Sequence, residues 1–414
     1  MTARPGVGQK EAQPQLVRAL TLAHAVLYGI GVTIGAGIYV LVGIAAGRSG
    51  MHAPLAFLVA ALALAPTAAA FAELGTRMPV SASEAAYVQR AFGRRWLTIA
   101  MGLLVIASAT ISAATISAGS AGYIGMFVDL PRGWIVAGVV LAMGSAAALA
   151  TARSVAIAGA MTLVEVGGLV LIIAAGLVDG EPVFARLGEM IPTPGEFAAW
   201  RGIGATALVA VFAFIGFEHL VNVGEEMKEP SRTLPRALFI TLGVTGLLYV
   251  LVVWIAVVAV PPAQLAASDA PLALVFQRLT GLPLVTMSAI AVVATLNGIV
   301  VHVIMIARVL YGMATLGDLP RPLARVDPRT ATPHVATAVA VAMILVLALA
   351  VPLGGLADLA SRGTLLVFAG IDIALLRIKL RGDPLPAGAF SCPLPVVWIA
   401  LAAALTLLAL ELYV

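Results

Sequence analysis

Polar side chains follow a glycine inside one apolar stretch of the chain, where Gly216 precedes Glu218, His219 and Asn222. A carboxylate at the depth of a bilayer costs about 2.5–3.5 kcal/mol on insertion scales, so Glu218 must face protein, water or a bound proton. Two interpretations stay open. Glu218 is a buried acid, paired or protonated, that holds helices together, or it lies on the path of a polar solute. The second is favoured because glycine leaves helical dihedral angles at little cost.

A second glycine-rich stretch lies near the start of the chain, where five of the fifteen residues in 29–43 are glycine. One interpretation is packing, since Gly31 and Gly35 stand one helical turn apart and let a neighbouring helix approach closely. The other is a broken helix at Gly35–Gly37. A break frees backbone N–H and C=O groups, which are tolerated inside a membrane only where they face protein or a water-filled cavity. The later glycine at 216 favours the break.

The composition is that of a polytopic membrane protein. Of 414 residues, 61% are hydrophobic and only 11% are charged, whereas soluble domains carry about 25% charged residues. A net charge of +4, spread over loops, indicates no nucleic-acid partner. The single cysteine, Cys392, excludes an internal disulfide, and no metal-ligand spacing or cofactor motif is present. Residues 1–20 lack the pattern of a signal peptide, so we expect the first span to direct membrane insertion.

Apolar runs of about 20 residues predict the spanning helices. We predict eleven spans, at 22–47, 54–75, 97–127, 133–151, 155–178, 203–225, 236–260, 283–315, 333–351, 355–378 and 394–413.

The distribution of lysine and arginine predicts the orientation. With residues 1–21 as a cytoplasmic tail, 18 of these residues fall in inner segments and 6 in outer segments. This excess follows the positive-inside rule. Eleven spans then place the C-terminus outside.

The two glycine-marked breaks occupy corresponding places in the chain. The first lies in the first of five spans (22–178), and the second lies in the first of the next five (203–378), after an outer loop at 179–202. Five spans end on the opposite side from their start, so the two halves run in opposite directions. Interrupted helices at matching places in inverted halves point to the binding site of a transporter.

Four segments together resemble the amino acid–polyamine–organocation superfamily of permeases, close to its cationic amino acid transporter branch. They are the glycine-rich opening at 29–43, the Phe71–Pro79 segment, the Phe212–Pro235 segment, and the Ala307–Pro333 segment. The resemblance implies two inverted five-helix repeats with broken helices one and six. Relatives usually have twelve helices, and this chain ends after the eleventh.

The resemblance also implies where a substrate binds. Its carboxylate is expected at backbone amides of the first break, and its ammonium at carbonyls of the second. The side chain is expected toward spans three, eight and ten. The residues at these places are Ile34, Gly35, Ala36 and Gly37 for the carboxylate, Phe212, Ala213 and Ile215 for the ammonium, and Ala113, Asn297 and Ser361 for the side chain. Gly216, which marks the second break, is also expected in the binding site, and Glu218 is a candidate counter-charge for a cationic side chain.

Span five departs from proton-coupled relatives, some of which carry a lysine there. The matching place holds Glu165, the only charged residue in 154–178. Glu165 is either a structural acid kept neutral by burial or the group that binds and releases a coupling proton, with Glu218 as a further candidate. Asp372, in span ten, has Arg377 and Lys379 close in sequence, and ion pairing with them would account for it.

These features predict a secondary active transporter of amino acids in the plasma membrane. Proton symport is expected, with cationic amino acids as possible substrates. The alternatives are an exchanger, a polyamine transporter or a sensor that binds without transport. An enzyme is not expected, because no motif joins the serines and histidines into a hydrolytic site.

Overall fold

The computed structural model describes residues 20–35, 37–79, 83–149, 154–178, 183–330 and 332–410. These residues form α-helices joined by turns and 310 segments, and the only β pairing among them is an isolated bridge between Leu20 and Met227. The all-α prediction is therefore confirmed. The helices are α1 (Leu22–Ile34), α2 (Gly37–Ser49), α3 (Ala53–Arg77), α4 (Ser83–Phe92), α5 (Arg95–Ile124), α6 (Arg132–Leu149), α7 (Ser154–Val178), α8 (Phe197–Phe214), α9 (Pro230–Ala259), α10 (Pro262–Ala267), α11 (Pro271–Thr280), α12 (Leu284–Thr315), α13 (His334–Ala350), α14 (Leu353–Leu380) and α15 (Leu394–Leu410).

The apolar helices correspond to the predicted spans. Among the described residues, 8 helical stretches are long and apolar enough to cross a membrane, and α1, α13 and α15 are shorter apolar helices. Most helix ends lie close to the predicted ones. The exceptions are the starts of α8 and α9, at Phe197 and Pro230, where the sequence predicts 203 and 236. Arg232 lies in the first turn of α9, and Arg201 follows the first turn of α8, so neither start belongs to a continuous apolar run.

Both predicted breaks are present. The first span consists of α1 and α2, which are separated at Gly35, whose φ is 27°. Ala36 lies outside the described residues. In the sixth span, α8 ends at Phe214, Gly216 has a φ of 129°, and Phe217–Glu226 continue as a 310 helix. Glycine adopts such positive φ values without the steric cost that a Cβ brings.

The helix contacts of the first five spans recur among the next five when span one is matched with span six, span two with span seven, and so on. The contact of α1 with α9 then matches that of α8 with α3, and the contact of α1 with α7 matches that of α8 with α14. Three further contacts join a span directly to the span that it is matched with, namely α5–α12, α3–α9 and α6–α13. Because five is odd, the two halves run in opposite directions, as predicted. α15 packs on α3 and α14, outside this matching. The boundaries 22–178, 179–202 and 203–378 stay predictions.

Short helices lie at both ends of the bundle. α4 lies in the predicted inner loop, and α10 and α11 lie between α9 and α12; we call the two ends the α4 end and the α10 end. The sequence did not predict these helices, because their 6–10 residues are too few to form a spanning run. At the α4 end, Arg377 of α14 donates a hydrogen bond of 2.9 Å to the Ala91 carbonyl in the last turn of α4. This contact fixes α4 against the tenth span.

A buried carboxylate joins α3 to α14 and to the segment before α15 at the α4 end. Glu73 of α3 accepts from Arg77 at 2.7 Å, from Lys379 of α14 at 2.7 Å, and from the Cys392 amide at 2.7 Å. Lys379 therefore pairs with Glu73, and Asp372 instead accepts from the Thr67 hydroxyl at 3.0 Å.

The expected pairing of Asp372 with Arg377 and Lys379 is thus wrong. Residues five apart on a helix face different directions, and residues seven apart are separated by about 10.5 Å along the axis.

Candidate functional site

The two breaks meet backbone to backbone. A Cβ at Gly37, at the start of α2, would lie 2.8 Å from the Ala213 Cα in α8. In return, a Cβ at Gly216 would lie 2.6 Å from the Val32 carbonyl oxygen and 2.9 Å from the Thr33 Cα. Each break therefore has a glycine at its closest approach to the other span, and no side chain fits between them.

A tyrosine of the seventh span contacts both broken helices. The Tyr249 hydroxyl lies 3.0 Å from the Thr33 carbonyl oxygen and 2.9 Å from the Ala213 carbonyl oxygen. Its ring packs against Phe57 and Phe214. One hydroxyl carries one proton, so it donates fully to only one of these carbonyls at a time. Nothing in the type or spacing of Tyr249 indicates this role in the sequence.

The residues expected to bind the substrate carboxylate lie at the first break. Ile34 ends α1, Gly35 follows it, and Gly37 begins α2. The first amides of a helix have no partner within the helix, and the helix dipole places positive charge there. The start of α2 thus has the chemistry of an anion site. The role of these residues, with Ala36 outside the described part of the chain, stays a prediction.

The residues expected to bind the ammonium lie at the second break. The Phe212 carbonyl accepts from the Ile215 amide at 3.2 Å, and the Ala213 carbonyl accepts from Tyr249. These carbonyls end α8, where the helix dipole is negative. A cation binding here would share the Ala213 carbonyl with the tyrosine hydroxyl or displace it.

Glu218 caps the second break. Its Oε2 atom accepts a hydrogen bond of 2.8 Å from the Gly216 amide, and its Oε1 atom lies 3.7 Å from His219 Nε2. Both residues are buried, each 6% exposed. The carboxylate therefore satisfies a backbone group that the break has released.

Glu165 is fully buried and bound to Asn297. The Asn297 side-chain amide donates a hydrogen bond of 2.9 Å to Glu165 Oε1, while no hydrogen-bond partner for Oε2 occurs among the described residues. The Tyr39 hydroxyl of α2 donates to the Glu165 backbone carbonyl at 2.7 Å, and Tyr123 donates to the Tyr39 carbonyl at 2.6 Å. Asn297 thus joins the eighth span to the acid of span five, and the Tyr39 hydrogen bond places Glu165 beside the first broken span.

A cavity lies on the α4 side of the second break. Hydroxyls line it from Ser108 and Ser112 of α5 and from Thr364 of α14. The expected side-chain residues Ala113 and Ser361 are buried next to these positions in sequence, one residue after Ser112 and three before Thr364. The remaining lining is apolar or ionisable, namely Val105, Ala109, Ile215, Met305, Val367 and Phe368, and Glu84, Glu218, His219 and His302.

The opposite side of the breaks is held by polar contacts. Arg48 at the end of α2 makes a two-pronged ion pair with Asp358 of α14, with both N–O distances at 2.9 Å. Ser49 donates to the Gly202 carbonyl and contacts Thr206, both in α8. Spans one, six and ten are therefore joined at the α10 end.

Comparisons with known proteins identify the family of this chain and several relatives. The family model described as "Amino acid permease" matches residues 20–413. The branched-chain amino acid permease BcaP of Bacillus subtilis is 30% identical over 94% of this chain and 87% of its own length. The vacuolar cationic amino acid transporter 2 of Arabidopsis thaliana is 30% identical over 90% of this chain and 62% of its own. The mouse cationic amino acid transporter 4 is 27% identical over 91% and 62%.

Proposed function

The chain belongs to the amino acid permease family, and we propose that it carries an amino acid across the plasma membrane together with a proton. The family indicates a transporter and not an enzyme. The observation that carries the proposal is the meeting of the two breaks, at Gly37 against Ala213 and at Gly216 against Val32. Broken helices in inverted halves offer opposite backbone charges to a solute that carries both charges itself.

In the proposed binding mode, the substrate carboxylate lies at the start of α2 and its ammonium lies at the end of α8. The helix dipoles favour this orientation at both ends. Tyr249 holds the Ala213 carbonyl in place before the substrate arrives. Its proton can turn to the Thr33 carbonyl once the ammonium binds, because both oxygens are within reach.

Glu165 is the proposed carrier of the coupling proton, with Glu218 as the second candidate. Glu165 is buried and has one oxygen held by Asn297, so a proton on the other oxygen removes an otherwise uncompensated charge. A coupling ligand must bind the inward and outward states differently to shift their populations. An acid that is buried in one state and hydrated in the other meets this requirement.

Uptake into proteoliposomes tests this proposal. A thermal-shift screen of amino acids and polyamines first identifies a ligand, because a bound ligand raises the apparent stability. We expect the labelled ligand to accumulate when the lumen is alkaline, and a protonophore to abolish the accumulation. Binding without accumulation would indicate a sensor. Counterflow without accumulation under a pH difference would indicate an exchanger.

Cationic amino acids are one substrate class, since Glu218 supplies a carboxylate at the cavity. Neutral branched side chains are a second, because Val105, Ile215 and Val367 line the same cavity and Glu218 already accepts from the Gly216 amide. Competition of lysine, arginine and ornithine against leucine, isoleucine and valine separates them. If the neutral amino acids bind at least as well as lysine, the cationic assignment fails.

A further inference from the structure

A groove with a volume of about 450 Å³ opens on the surface of α9 at the α4 end of the bundle. One wall consists of the first three turns of α9, and the other is Phe390, in the segment between α14 and α15. The lining residues are Ser231, Arg232, Pro235, Arg236, Phe239, Ile240 and Phe390. We call this the α9 groove. It shares no lining residue with the cavity at the second break.

The α9 wall of the groove changes from polar to apolar along the helix. Arg232, Arg236 and Ile240 follow one another at intervals of four residues, so they lie on one helix face. The change from Arg236 to Ile240 takes place over about 6 Å of helix. One headgroup layer of a bilayer is roughly 5–8 Å deep. The face therefore matches a membrane surface, with the arginines at the headgroups and the apolar residues at the acyl chains.

The apolar surface continues along α9 beyond the groove. Phe239 and Ile240 are each 40% exposed, and Val244 and Leu247 follow on the same face at 37% and 62%. All four lie within the predicted seventh span at 236–260. An exposed apolar face in a spanning helix contacts lipid chains, so a chain in the groove has a continuous path along the protein.

The two arginines of the groove have no close acidic partner in the described part of the chain. Arg232 lies 3.9 Å from Glu229, with both side chains largely exposed, and Arg236 makes no ion pair there. No acidic side chain lines the groove. By contrast, Arg95 at the same end lies 2.6 Å from Asp318. The groove thus presents two positive charges that an anion outside the protein can pair with.

The second wall of the groove is held in place by the rest of the protein. The Phe390 ring packs on Phe239, with 6.1 Å between the ring centroids. The Phe390 amide donates a hydrogen bond of 3.1 Å to the Thr76 hydroxyl at the end of α3, and the Cys392 amide donates to Glu73. The groove is therefore formed before a ligand arrives, which lowers the entropic cost of binding.

We propose that the α9 groove binds one anionic phospholipid. Its phosphate lies at Arg232 and Arg236, and one acyl chain lies against Phe239, Ile240 and Phe390. Planar guanidinium groups suit phosphate oxygens because they can donate two parallel hydrogen bonds. Basic groups at the cytoplasmic end of a membrane helix favour anionic lipids over zwitterionic ones. The apolar half of the groove favours a lipid over a soluble phosphate, which would leave these side chains uncovered.

Competition between two lipids tests the charged half of the site. Delipidated protein is mixed with phosphatidylglycerol and phosphatidylcholine of identical acyl chains, and native mass spectrometry counts each bound lipid. We expect each arginine to contribute about fivefold to the preference for phosphatidylglycerol. Arg232→Gln combined with Arg236→Gln should therefore lower this preference at least about tenfold.

A matched control separates the groove from general surface charge. Arg321→Gln combined with Arg325→Gln removes the same charge at exposed positions of the α4 end that do not line the groove. The control should keep the wild-type preference. An equal loss in the control, or a wild-type preference in the groove variant, would overturn the site.

Two further measurements distinguish a lipid from a soluble anion. Phosphatidylglycerol should raise the unfolding temperature, whereas inorganic phosphate at equal ionic strength should not. Ile240→Ser should weaken the binding of both lipids and leave their ratio unchanged, because its side chain contacts the acyl chain and not the headgroup. Equal stabilisation by inorganic phosphate, or wild-type binding of both lipids by Ile240→Ser, would overturn the lipid assignment. None of these measurements depends on transport.

Discussion

The Asn297 side-chain amide donates a hydrogen bond of 2.9 Å to the Glu165 carboxylate and so joins the fifth span to the eighth inside the bundle. The glutamine of Glu165→Gln has an oxygen that can accept this hydrogen bond, but its side chain cannot bind and release a proton as a carboxylate does. We expect the variant to bind and exchange substrate normally, and to lose accumulation when a pH difference is the only driving force. Uptake into proteoliposomes with an imposed pH difference measures accumulation, and counterflow without a pH difference measures exchange. Glu189→Gln, a change at an exposed acid paired with Arg186, is the control. Undiminished pH-driven accumulation would move the coupling proton to Glu218.

A side chain at Gly216 should abolish binding without preventing insertion. A Cβ there meets the Val32 carbonyl at 2.6 Å on a backbone whose φ is 129°, so Gly216→Leu separates the two breaks. Gly35→Leu, at a φ of 27°, should act in the same direction. Gly138→Leu in α6, where a Cβ meets nothing within 4 Å, controls for the added bulk. Ligand-induced thermal shifts report the outcome, and wild-type affinity in Gly216→Leu would exclude the broken-helix site.

The Tyr249 hydroxyl should stabilise the meeting of the breaks. Tyr249→Phe keeps the ring contacts with Phe57 and Phe214 but leaves the Thr33 and Ala213 carbonyls without this donor. Hydrogen bonds inside membrane proteins contribute about 0.6 kcal/mol on average and about 1.7 at most. We expect a loss of unfolding free energy in this range and a weaker affinity for substrate. Tyr28→Phe, at a residue that is 37% exposed, should change neither the unfolding free energy nor the affinity. If Tyr249→Phe has the unfolding free energy and the substrate affinity of the wild type, the hydroxyl contacts do not stabilise the meeting of the breaks.

The ion pair at the α10 end should couple α2 to α14. Arg48 and Asp358 are partly buried, at 30% and 19% side-chain exposure, and they meet in two parallel contacts. A double-mutant cycle with Arg48→Met and Asp358→Asn should give a coupling energy of about 0.5–3 kcal/mol in thermal unfolding. The more exposed pair of Arg186 and Glu189 should give less than about 1 kcal/mol. Equal couplings in the two cycles would contradict a special role for the first pair.

The single cysteine should react slowly in the folded protein. Burial raises the pKa of the Cys392 thiol to about 11, and the Glu73 carboxylate acts in the same direction. A raised pKa leaves less thiolate, which is the reactive form, at neutral pH. We therefore expect alkylation of the folded protein to keep accelerating above about pH 9, where an ordinary thiol levels off. Denatured protein supplies the reference, and a plateau near pH 9 in the folded protein would show that the thiol is not shielded.

The sequence predicts the spans and the breaks because both depend on local composition. An apolar run marks a membrane helix wherever it occurs, and glycine at 35 and 216 marks a change in the backbone. The partners of the polar groups are not local. Tyr249 reaches Thr33 across 216 positions, and Asn297 reaches Glu165 across 132.

Residues that are close in the sequence can also fail to contact each other in the structure. Lys379 is near Asp372 in the chain, yet it pairs with Glu73 of another span. The short helices α4, α10 and α11 escape prediction for a different reason. Each has too few residues to form a spanning apolar run, and its position depends on contacts with distant parts of the chain, as that of α4 does on the hydrogen bond from Arg377 to Ala91.

The matching helix contacts of the two halves bear on which end of the bundle is closed in the absence of substrate. Helix contacts that are matched between the two halves contribute about equally to a form closed at the α10 end and to a form closed at the α4 end. The balance then depends on contacts outside this matching, such as Arg48 with Asp358 at one end and Glu73 with Lys379 at the other. A difference of about 1.4 kcal/mol among such contacts changes the ratio of the two forms tenfold. Substitutions near either mouth of the bundle can therefore retune the resting orientation while leaving the binding residues untouched.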